Sequence, residues 1–89
     1  SSPAAAHASS VPSGGLAACI IARENGGSYG RSSNPSHFGR YQFSRGTWAA
    51  YGGSPDTWGS ASPAEQDAVF ARALASPGGA ANWTPFDHC

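Results

Sequence analysis

Cys19 and Cys89 are the only cysteines in this 89-residue chain, one inside the first helical pattern and the other at the C-terminal residue. Two cysteines allow one pairing, and it would close nearly all of the orderable chain into a single loop. On the chain-entropy model such a crosslink contributes about 4 kcal/mol. Of the apolar residues, 17 are Ala, while Leu, Ile and Val supply two each and Met is absent. The bulk must come from the Trp, Tyr and Phe side chains. A domain this small, rich in aromatics and poor in aliphatics, usually needs a staple. The alternative is a pair of buried free thiols. Small size and the terminal position of Cys89 favour the disulfide, and with it an oxidising, secreted location.

Charge excludes several classes of partner. Five Arg balance five acids, with no Lys and a net charge of zero. The arginines are scattered along the chain and form no phosphate-tracking stripe, so no nucleic-acid partner is expected. No apolar run reaches membrane-spanning length, so no membrane insertion is expected. No charged and apolar leader precedes residue 1, so an export signal is expected to have been removed or to lie outside this sequence. Ala6-His7-Ala8 has the small-x-small form of a cleavage site.

Residues 1–15, SSPAAAHASSVPSGG, offer almost nothing to bury and read as a flexible tail ahead of one domain over 16–89. LAACIIAREN predicts a first helix over 16–25, capped by Ser13 and stopped by Gly26-Gly27, with Leu16, Ile20 and Glu24 on its core face. SYGRSSNPS is turn-rich. HFGRYQF, 37–43, is the one β-like stretch, a short irregular strand or hairpin arm. Ser44 reads as the cap of a short helix, RGTWAAY, closed by Gly52-Gly53. Ser62-Pro63-Ala64-Glu65 is a capping box opening PAEQDAVFARALA, with Gln66, Val69, Phe70, Ala73 and Leu74 along one face. The fold class is therefore α+β, mostly helical, small and closed by one disulfide. A monomer is expected.

Glu24 is the carboxylate that most needs explaining. It shares a helical column with residues that face the core, and partial burial raises a carboxyl pKa. The helix C-terminus, with its unpaired carbonyls, pushes the same way. Both effects favour a carboxyl that stays protonated near neutral pH, as a general acid requires. Its alternative is an exposed side chain at a frayed helix end. The other acids have simpler explanations: Glu65 and Asp67 sit near a helix start, where negative charge is favourable, Asp56 in a loop and Asp87 in the C-terminal tail. Glycosidases of the usual kind need two carboxylates, and sequence places no partner for Glu24.

Aromatic and amide side chains crowd into the stretch after Gly27. Tyr29, Asn34, His37, Tyr41, Gln42 and Thr47 are the candidates for lining a sugar groove, rings against C–H faces and amides against hydroxyls. Phe38, Phe43 and Trp48 are expected in the core, because little else can fill it. His37, His88 and Cys89 match no zinc spacing, and no phosphate-binding glycine loop is present, so neither metal nor cofactor is expected.

Taken together, CIIARENGGSY, NPSHFGRYQFSRGTWAAYGG, SPAEQDAVFARAL and the aromatic-plus-Cys ending resemble the transglycosylase-like domain of the resuscitation-promoting factor family, part of the lysozyme-like superfamily and typical of actinobacteria. The resemblance spans residues 16–89 and rests on E-x-G-G, G-x-Y-Q-F, G-T-W and E-Q-x-A in that order. It implies a small lysozyme-like fold and a secreted muralytic enzyme that cleaves the β-1,4 bond between N-acetylmuramic acid and N-acetylglucosamine in peptidoglycan. It further implies that Glu24 is the single catalytic acid and that Gln42, Thr47 and Tyr29 line the substrate groove. The chain departs from the pattern at Arg23, where resuscitation-promoting factors proper carry the cysteine, at Asn25, at Ser44, and at His37 and Arg40. The placing of Cys19 five residues before the glutamate is closer to related actinobacterial and phage-associated domains.

With no second carboxylate assigned, two outcomes stay open. The muramic acid C6 hydroxyl attacks and gives an anhydro product, or the N-acetyl group or a water completes hydrolysis. Two other classes are weighed beside the enzyme: a peptidoglycan- or chitin-binding module without activity, and a disulfide-stapled secreted signalling or inhibitor protein with no glycan affinity.

Overall fold

The structure, a computed structural model, describes residues 14–89. Most of the tail expected over 1–15, and Ser13 as a helix cap, lie outside the described residues. Helix α1 spans Gly15–Asn25, with Gly14 at its N-cap position. Helix α2 spans Arg45–Ala50, α3 spans Pro63–Ala75, a 3₁₀ turn follows at Gly79–Asn82, and a short α4 closes the chain at Thr84–Asp87.

Local sequence accounts for most of these boundaries. Ser44 Oγ accepts from the Thr47 amide and starts α2, and Ser62 Oγ does the same for Glu65 at the head of α3 with Pro63 behind it. The capping box is only half made. The Glu65 carboxylate accepts instead from Thr57 Oγ1 at 2.7 Å, tying the 54–61 loop to α3. At the other end of α1 the Gly27 amide folds back onto the Ile21 carbonyl at 3.2 Å, with Gly26 left-handed at φ 59°.

The β-like stretch is smaller than a strand. Phe38 and Phe43 exchange both backbone hydrogen bonds at 3.0 Å, and this single antiparallel bridge is the sheet content of the described residues. Gly39 at φ 82° turns the chain so sharply that no ladder can extend beyond it. A Cβ at residue 39 would also collide with the Gln66 amide packed over it.

The core is built from Ile20, Phe38, Tyr41, Phe43, Trp48, Val69, Phe70 and Trp83, with Ala17 and Ala73 filling between them. Its rings meet in chains: Phe43 is edge-on to Trp48 at 5.3 Å and to Trp83 at 5.6 Å, and Tyr41 stacks on Phe70 at 3.8 Å. Burying indoles is tolerable only if each N–H finds an acceptor. All three do: Trp48 on Ser54 O, Trp58 on Phe43 O and Trp83 on Tyr41 O, at 2.7–2.9 Å. Leu16 does not join them and is 40% exposed. The buried face of α1 is Ala17, Ile20 and, in part, Ile21 and Glu24, because a residue eight positions before Glu24 lies roughly 80° around the helix from it.

Asp67 is also not the surface charge expected near a helix start. It is 4% exposed and accepts from the hydroxyls of Tyr29 at 2.9 Å and Tyr41 at 2.5 Å, with Arg40 Nη1 at 3.8 Å. Arg40 lies over the Tyr29 ring at 4.6 Å and donates to its hydroxyl. Burial, then the Asp67 hydrogen bond, push both phenols' pKa upwards. This cluster bonds the 29–41 segment to α3. The disulfide Cys19–Cys89 performs the corresponding task at the ends, holding α4 on α1 with a Cα–Cα distance of 6.0 Å. The result is a small, half-helical domain with one bridge of sheet and one disulfide, consistent with a lysozyme-like domain.

Candidate active site

A groove of about 550 Å³ opens at the C-terminal end of α1, within the range of small-molecule clefts. Three segments make it. Helix α1 brings Glu24, the 32–42 loop brings Ser32, Asn34, His37 and Gln42, and the chain after α3 brings Asn82, Trp83 and Phe86. A recess of about 60 Å³ continues it towards α2, sharing His37, Gln42, Asn82 and Trp83 and adding Ser44 and Thr47.

Glu24 reaches the groove because the helix ends one residue beyond it. Its carboxyl is pushed up from 4.5 to about 8, first by burial and then by the Asp87 carboxylate. Asp87, on α4, is 9% exposed, and its Oδ2 is buried with no N–H or hydroxyl among the described residues pairing it. Asp87 acts on Glu24 in two ways, as a hydrogen-bond acceptor for its carboxyl and as a neighbouring negative charge, and both favour the protonated form. Arg23 is exposed and forms no ion pair among the described residues, where the one such pair is Arg40–Asp67.

The opposite wall is held by its own side chains. Asn25 Nδ2 donates to the carbonyls of Ser28 and Gly30 at 3.0 and 2.9 Å, fixing the turn that leaves the helix. Ser32 Oγ donates to Gln42 Oε1, and Gln42 Nε2 donates to Gly39 O, both at 2.8 Å. Those two bonds leave Gln42 one N–H and one oxygen lone pair for a ligand. Its backbone sits at φ 52°, a left-handed conformation uncommon for a residue with a Cβ and typical of functional sites. Asn34 Nδ2 meets His37 Nδ1 at 3.2 Å, which couples the two side chains on the rim. Thr47 Oγ1 accepts from Ser44 Oγ at 3.0 Å inside the recess.

Glu24, Asn34, His37, Gln42 and Thr47 are thus brought to one cleft and its recess. Tyr29 and Tyr41 are not. Their hydroxyls are taken by Asp67, and Tyr41 is fully buried against Phe70. An aromatic with a polar tip serves a core or a groove equally well, and here a buried acid claimed both tips. Five groove residues were not anticipated: Ser32, Ser33, Asn82, Trp83 and Phe86, the last 75% exposed. Asp87 was also missed as the partner of Glu24. The available signal was its place two residues before Cys89, since Cys19 stands only about one and a half turns before Glu24.

A family model for the transglycosylase-like domain matches residues 14–86. The chain belongs to this family. No curated protein and no solved structure gives a significant match. The match covers the first three helices of this transglycosylase-like domain, the 3₁₀ turn and the whole groove, and ends at Phe86, one residue before the end of α4. Among the described residues of the domain no helix is long and apolar enough to cross a membrane, and no group of three or more His, Cys, Asp or Glu gathers as metal ligands would.

Proposed function

We propose that this transglycosylase-like domain is an exported enzyme that cleaves the β-1,4 bond between N-acetylmuramic acid and N-acetylglucosamine in peptidoglycan, with Glu24 as its acid. The observation that carries the reading is a carboxyl raised to about 8 at the wall of a groove otherwise lined by amides, hydroxyls and aromatic faces. Such a group is protonated at neutral pH and can give its proton to the glycosidic oxygen as the bond breaks with oxocarbenium character. The leaving sugar departs with that proton, and Glu24 becomes a carboxylate.

The second step is then a base reaction. Glu24 takes the proton of the muramic acid C6 hydroxyl as its oxygen attacks C1, closing an anhydro ring, or takes it from a water that attacks in its place. Gln42, Asn34, His37 and Thr47 are the groups we assign to hydroxyl and acetamido contacts along the strand. Asp87 does not line the groove, so it is not the second carboxylate of a two-acid glycosidase. The disulfide fits an extracellular setting, where the substrate is found.

Glu24→Gln tests the assignment. Cleavage of purified cell walls is expected to vanish while circular dichroism and melting behaviour stay native. A variant that clears walls at the wild-type rate would exclude Glu24 as the acid. Glycan binding without cleavage by the wild type would indicate a binding module. Mass spectrometry of products separates anhydro from reducing ends.

A further inference from the structure

The buried carboxylate of Asp87 has no role in the chemistry just described, and no N–H or hydroxyl among the described residues pairs its Oδ2. Helix α4 packs on α1, and the Cys19–Cys89 bond two residues later prevents it from swinging away. Asp87 Oδ2 is therefore held in a dry position that no N–H or hydroxyl reaches, beside the Glu24 carboxyl. A buried acceptor left unpaired is costly, and native folds seldom keep one without a purpose. The titratable group it acts upon is Glu24. The 3₁₀ turn against α4, Gly79–Asn82, carries no charge, His88 is exposed beyond it, Arg23 is exposed, and His37 lies on the groove's opposite wall.

We propose that Asp87 is a positioning residue for Glu24, an acceptor that keeps the proton on the Glu24 carboxyl between turnovers. The idea rests on Glu24 being the acid. With both groups ionised two carboxylates repel at close range, whereas a protonated Glu24 carboxyl donates to Asp87. Glu24 reaches the groove and Asp87 does not, so the proton is delivered from Glu24 while the Asp87 charge discourages its loss to solvent. This agrees with the elevated Glu24 carboxyl, to which Asp87 contributes after burial.

Asp87→Asn keeps the shape and removes the charge. The alkaline limb of the wall-cleavage profile is expected to move at least one pH unit towards acid, giving a loss of about fivefold or more at pH 8 with little change at pH 5–6. A merely structural role would lower activity evenly across pH. An unshifted limb in a folded variant overturns the proposal, while Glu24→Gln inactivity keeps the acid assignment intact. Should the variant fail to fold, carboxyl ¹³C titration of the wild type decides. The Asp87 carboxyl carbon is expected to move in chemical shift at the Glu24 step, and an Asp87 carbon that does not respond there overturns the proposal. That measurement needs no activity, so it separates failure of the pairing from failure of the enzymatic reading.

Discussion

The Trp83 indole nitrogen donates to the Tyr41 carbonyl at 2.8 Å, joining the chain after α3 to the turn before α2. The same indole is 3% exposed, lies edge-on to Phe43 and Phe70, and lines both the groove and its recess. One side chain is therefore both core and floor.

Replacing it separates the two duties. Trp83→Phe keeps an aromatic filling but leaves the Tyr41 carbonyl unpaired, and a loss of about 1 kcal/mol is expected. Trp83→Ala should cost about 3–5 kcal/mol. Urea denaturation of both variants measures the difference. Equal losses would mean that the hydrogen bond matters more than the ring.

The Asp67 cluster predicts a second effect. Tyr41→Phe removes a buried donor and leaves the carboxylate to Tyr29 and Arg40 alone. Stability should fall by about 1–3 kcal/mol, while Tyr29→Phe, nearer the surface, should cost less. Because neither ring faces the groove, glycan cleavage by folded Tyr41→Phe protein is expected to stay near wild type. A selective rise in KM would return Tyr41 to the substrate wall.

Glu24 makes a prediction about stability as well as rate. Its folded pKa of about 8 lies above the ordinary 4.5, so the folded state holds the proton more tightly than the unfolded chain does. Stability from this group is full below pH 4.5, falls as pH rises towards 8, and is level above that. Glu24 is only partly buried, so solvent screening moderates the size of the effect. The melting temperature of the wild type should decline by a few degrees between pH 5 and 8, and Glu24→Gln should flatten that decline. A parallel decline in both proteins would mean that Glu24 titrates as an ordinary carboxyl.

Much of this was legible where short-range rules act. Ser44 and Ser62 mark their helices by side-chain oxygens that need one nearby amide, and Gly26 ends α1 by a backbone conformation few other residues accept. Glu24 could be singled out because its position within one helix decides what surrounds it. Asp87 is singled out by no short-range rule, since its neighbour Glu24 lies at the far end of the chain and only the Cys19–Cys89 pairing links the two. Leu16 misled for a simpler reason: a column drawn through i, i+4 and i+8 drifts around the helix, and Ala17, an inconspicuous residue, took the buried place. Glu65 had two uses open to its carboxylate, a local amide and the Thr57 hydroxyl, and packing of the loop chose the second.

Helix α4 is four residues long, far too short to hold its shape unaided. It is ordered by what it leans on and by the bond at Cys89. During folding its contacts join the most distant parts of the chain, so they carry the largest loop-closure cost and form late. The newly collapsed chain would then lack the groove wall that Phe86 supplies as well as Asp87 beside Glu24, and the final docking of the C-terminus would complete the cleft and the acid together.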